Sequence, residues 1–68
     1  MTPDRLRSAG EALFGPRWQS DLAAVLGVHR DTVRSWARGR TAISAGAAAE
    51  IRGLLAARRD EIDAALAV

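Results

Sequence analysis

Cysteine is absent from the 68 residues, so neither a disulfide framework nor a thiolate metal site can hold this chain together. A reducing compartment fits that absence. Lysine is absent as well, and all ten basic residues are Arg. Without an ε-amino group there is no Schiff base and no phosphate lysine of the Walker or kinase type. The single His, His29, leaves a zinc site without nitrogen or sulfur partners. No run approaches the roughly 18 consecutive apolar residues of a membrane span. Met1-Thr2-Pro3-Asp4 carries an acid where a signal peptide needs positive charge, and no apolar region follows it. Repeats, low-complexity linkers and the period-two alternation of strands are also missing. These absences together predict a cytoplasmic protein, with no membrane partner and no bound metal, cofactor or small-molecule effector.

What is present is small and helical. The length allows one domain, residues 1–68, and a domain this short buries only about 60% of the surface its unfolded chain exposes, so a second chain would help it. Apolar residues make up 49% of the composition, but many are Ala, which favours closely packed helices. Thr2 is placed to cap a first helix, with Pro3 at its first position and Leu6, Ala9 and Leu13 at helical spacing until Gly15-Pro16. A second helix of about nine residues starts at Arg17 or Trp18, carries Leu22, Ala23, Val25 and Leu26, and stops at Gly27. His29 or Arg30 opens a third, with Val33, Trp36 and Ala37 three and four apart, and Gly39 ends it. Ser44 can cap a fourth helix running to about Leu66, with Ala48, Ile51, Leu55, Ile62 and Ala65 in a stripe interrupted by Arg58. Gly46 and Gly53 weaken that helix by about 1 kcal/mol each, and Asp60 with Asp63 could cap a separate last turn. The expected fold is all-α, a small bundle of four to five helices with a long C-terminal helix.

His29-Arg30-Asp31 spells the tripeptide of a protein-kinase catalytic loop. However, 68 residues without Lys cannot build a nucleotide-binding lobe, and no nucleophile, base and orienting group can be assembled, so an enzyme is not expected. The residues around the tripeptide satisfy a different set of constraints. In two short helices crossing sharply, Leu22 and Leu26 point inward, Ala23 is small where the helices approach, Gly27 takes the turn, and Val28 plugs it. Val33 and Trp36 then face inward from the second helix. These seven positions at fixed spacing describe a helix-turn-helix over about residues 18–38, the unit whose second helix enters the DNA major groove.

From Trp18 to Ser44 the stretch WQSDLAAVLGVHRDTVRSWARGRTAIS resembles the Cro and repressor family (XRE-type) of small phage and mobile-element regulators, with a further helix on each side in the expected places. The resemblance implies that Gln19 contacts a phosphate and that Arg30 and Asp31 stand at the base-reading start of the recognition helix. Arg34 and Ser35 then follow one turn along the same face, and Arg38, Arg40 and Thr41 fall where the family touches the DNA backbone. That family often reads bases with Gln and Ser, whereas this chain offers Arg and Asp, so its target bases cannot be copied from a relative. Arg30 and Arg34 suit guanine O6 and N7, and Asp31 suits either cytosine N4 or the steadying of a neighbouring Arg. Trp18 could staple the start of the second helix, give its indole N–H to a phosphate, or do both. His29 fits a phosphate contact, a helix-start role or an ordinary exposed side chain. Trp36 reads as core.

Charge supports the same region. Residues 17–40 hold five Arg against two Asp, whereas residues 41–68 hold three Arg against four carboxylates. Arg30, Arg34 and Arg38 are four apart, a row of like charge that a polyanion relieves. Arg52, Arg58 and Arg59 lie among acids and read as a solvated or interface face. The expectation is a sequence-specific, homodimeric repressor on a palindromic operator in double-stranded DNA. The dimer surface is expected on the C-terminal helix, about residues 44–66. Ile51, Leu54 and Leu55 would pack on the motif and complete the core, leaving Ile62, Leu66 and Val68 to cover each other in the dimer. The rival class is a helical protein-interaction module, an adaptor or antitoxin-like subunit without direct DNA readout.

Overall fold

The computed structural model describes residues 1–68. It contains four helices and no strand: α1 (Pro3–Phe14), α2 (Trp18–Leu26), α3 (Arg30–Ala37) and α4 (Ala45–Leu66). Three of the four N-termini are capped by side chains. The Thr2 hydroxyl accepts from the Arg5 N–H at 3.2 Å, the His29 imidazole from the Asp31 N–H at 3.0 Å, and the Ser44 hydroxyl from the Ala47 N–H at 3.1 Å. The long C-terminal helix read from the sequence forms without a break. Asp60 and Asp63 lie inside an unbroken α4, so the bundle has four helices rather than five.

Gly27 and Gly39 close α2 and α3 in the same way. Each has a positive φ, 70° and 72°, a conformation that costs glycine nothing. After α2, the N–H groups of Gly27 and Val28 donate to the carbonyls of Ala24 and Ala23. After α3, those of Gly39 and Arg40 donate to Trp36 and Ser35. The paired bonds satisfy carbonyls that a helix end leaves open and turn the chain sharply. Between α2 and α3 the turn is short enough that Val28 comes back onto the core, where it packs half-buried.

Leu6, Leu22, Val33 and Ile51, one from each helix, are fully buried and meet in one cluster with Ala9, Trp18, Ala23 and Trp36. α2 and α3 pack against each other and both pack on α1, which gives the helix-turn-helix a rigid floor. α4 lies nearest α1, and, as the sequence leads one to expect, Ile51 completes a core shared with the motif residues Leu22, Ala23, Val33 and Trp36. The first half of α4 reaches the common core through Ala48 and Ile51, with Leu54 and Leu55 half-buried beside them. From Arg59 onward every residue is exposed, and the molecule extends to 43 × 22 × 21 Å. No helix is long and apolar enough to cross a membrane.

Candidate nucleic-acid interface

Burial of Val33 and Trp36 fixes which side of α3 faces out. At 3.6 residues per turn, the side opposite those two carries Asp31, Arg34, Ser35 and Arg38, with Arg30 at its border. All five are exposed or half-buried. The hydrogen bonds that end α3 bring the chain back so that Arg40 stands beside this face. Asp31, Arg34, Ser35, Arg38 and Arg40 line one open concavity of about 300 Å³ with no apolar residue in its wall. The sequence expectation placed these residues in two roles, base reading and backbone contact; the fold brings them to one surface. Arg30 continues the row without lining the concavity.

The pairing of these charges is loose. Asp31 Oδ1 lies 3.9 Å from Arg34 Nη1, and the 3.6 Å separation of Asp31 Oδ2 from His29 Nδ1 is a charge contact only when that imidazole is protonated. Exposed contacts of that length contribute little to stability and are readily exchanged for another partner. Arg30, Arg38 and Arg40 have no carboxylate within ion-pair distance. Three guanidinium groups are therefore free on a surface whose single carboxylate is only weakly engaged.

Ser35 and Thr41 meet: their hydroxyl oxygens are 3.0 Å apart. The bond ties the segment after α3 to the exposed face and occupies one donor and one acceptor between them, so these two residues also position each other. His29 accepts through Nδ1, which puts the proton of a neutral ring on Nε2 and leaves that N–H as the outward donor. Its helix-start role is thus observed, and the Nε2–H remains as its one donor.

At the start of α2 the situation differs. Arg17 caps the helix without a side-chain hydrogen bond, so the first backbone N–H groups of α2 have no side-chain partner. Such an end favours an anionic oxygen. Gln19 is half-buried there. Trp18, 4% exposed, is a core residue whose ring packs against Gly10 of α1. This agrees with the staple reading, and phosphate contact is left to the indole N–H. That N–H has no partner within the chain and is not sealed from solvent.

The residues expected at a dimer surface stand apart from this face. Ile62 and Leu66 are 51% and 78% exposed, and Val68 is fully exposed. Sequence reasoning missed two residues in this half of the molecule. At Gly10 a Cβ would overlap the Trp18 ring; a glycine in the middle of a helix is the available signal. The sequence puts Arg58 on a solvated or interface face; it is half-buried and donates from Nη1 to the Leu13 carbonyl at 3.1 Å. It thereby satisfies one of the open carbonyls at the end of α1, and no local pattern announces so distant a contact. No family model, curated protein or solved structure matches this chain.

Proposed function

We propose that the protein is a sequence-specific DNA-binding regulator, a homodimeric repressor of the Cro type that reads a palindromic operator with α3 in the major groove. The observation that carries the reading is the exposed side of α3. Arg30, Arg34 and Arg38 run along it and Arg40 joins them, and the shared concavity has no apolar wall. A surface for an apolar peptide would need apolar side chains there; a phosphate backbone with base edges between the strands needs donors and positive charge. Supporting it is the free N-terminus of α2 beside Gln19 and the Trp18 indole, which suits a phosphate.

Arg34, with Arg30, takes guanine O6 and N7, and Arg38, Arg40, Thr41, His29 and Gln19 hold the backbone. Asp31 and Ser35 border the base-reading row. One such helix covers only one short half-site, so two copies on a two-fold axis are required, with the exposed α4 residues Ile62, Leu66 and Val68 as the contact. Repression follows from occupancy of a promoter, set by protein concentration.

Selection from a pool of random duplexes tests the reading. The expected result is an enriched inverted repeat with half-site centres about 10–10.5 base pairs apart. A pool that binds but yields no motif would leave a nonspecific binder, and a pool that is not retained at all would favour the protein-interaction class.

A further inference from the structure

α4 stays regular through Leu66 although nothing in the chain covers its second half. At 3.6 residues per turn, Leu55, Ile62 and Leu66 fall on one side of it, in line with the buried Ile51. This apolar line is therefore the continuation of the face that α4 turns toward the core. Charged residues border it. Arg59 and Asp63 run along one edge; Arg58 interrupts the line, its Nε 3.4 Å from the Oε2 of Glu61 on the other edge. In both pairs the cation comes first in chain order and the anion second.

We propose that two copies of the chain pair through this face with their α4 helices antiparallel, overlapping over about residues 55–66. Leu66 of one copy then packs against Leu55 of the other, Ile62 meets its counterpart near the two-fold axis, and Arg59 faces Asp63 across the seam. The order of charges sets the direction. Parallel pairing puts Arg59 level with Arg59 and Asp63 level with Asp63, whereas reversing one helix puts each cation against an anion twice over, as a self-complementary two-fold contact requires. The arrangement also sets a spacing. Ile51, where α4 enters the core, lies about ten residues before the axis level that pairs Arg59 with Asp63, so at about 1.5 Å per residue the two Ile51 positions stand about 30 Å apart along the paired helices.

The inference rests on the homodimer of the proposed function but not on DNA contact, and its test contains no DNA. Arg59→Glu and Asp63→Arg are made separately, both at exposed positions outside the core, with far-UV circular dichroism confirming the helical signal. Self-association is measured by sedimentation equilibrium at low salt for wild type, each variant and an equimolar mixture. Each variant alone replaces two attractions by two repulsions and should associate about tenfold or more weakly. The mixture, which restores opposite charges, should return to within about threefold of wild type. A mixture as weak as its components would overturn the antiparallel register. Variants that associate as tightly as wild type would overturn it by placing the contact away from these charges. A wild type that is monomeric throughout would remove the homodimer itself, whatever the DNA result.

Discussion

Arg34 and Arg40 line the same concavity from different elements, α3 and the segment after it, and the proposed roles separate them. Arg34→Ala should cost about 1–3 kcal/mol at the selected operator and little on random duplex, because losing a base contact removes discrimination. Arg40→Ala should weaken both alike; fluorescence anisotropy on the two duplexes measures the difference, and parallel losses would mean that the groove-facing side is assigned wrongly. His29 carries two functions at one position. His29→Asp keeps an acceptor for the Asp31 N–H, so thermal stability should hold within about 0.5 kcal/mol. Affinity for duplex should fall, since a carboxylate replaces a donor on the phosphate side; unchanged affinity would take His29 out of the contact surface. At this scale the sequence was a partial guide. Thr2 and Ser44 were readable as caps because capping is local, and His29 as a helix-start residue for the same reason. The Ser35–Thr41 bond and the reach of Arg58 to Leu13 depend on where the chain returns, which no spacing rule carries.

Among the elements, glycine separates local propensity from packing. Gly53 of α4 has open space where a Cβ would go, so Gly53→Ala should stabilise the fold by about 1 kcal/mol. Gly10 of α1 has the Trp18 ring there. Gly10→Ala should destabilise by about 1–3 kcal/mol despite the same gain in helix propensity. Chemical denaturation of the two variants checks the opposite signs, and a Gly10 variant at least as stable as wild type would mean that the α1–α2 contact is looser than described. The helix boundaries were legible because their signals are local: Pro3, Gly15, Gly27, Gly39 and Ser44 each stand at an end. What α4 packs on was legible only in part. Its stripe of Ala48, Ile51 and Leu55 marks a buried face but does not say that α1 lies nearest to it. Its unbroken course past Asp60 and Asp63 reflects a continuous helix ladder that outweighs the capping tendency of two acidic residues.

For the whole molecule, the core is concentrated at one end and α4 carries exposed Ile62 and Leu66 away from it. Burying such side chains is worth roughly 1.5–3 kcal/mol each, so Ile62→Asp with Leu66→Asp should abolish a micromolar or tighter dimer while leaving the helical signal largely intact. Operator binding should fall with the dimer, and random-duplex binding much less. Analytical ultracentrifugation of this double variant checks it; a species that stays dimeric would place the interface elsewhere. The claim on which the rest depends is that the free guanidinium groups around α3 meet phosphates. Titration of the wild type against a random duplex over a range of salt concentrations measures this directly. With about four Arg contacts per subunit in a bound dimer, log K should fall with log[salt] at a slope of about −6 to −8. A slope near zero, or no binding at low salt, would contradict it.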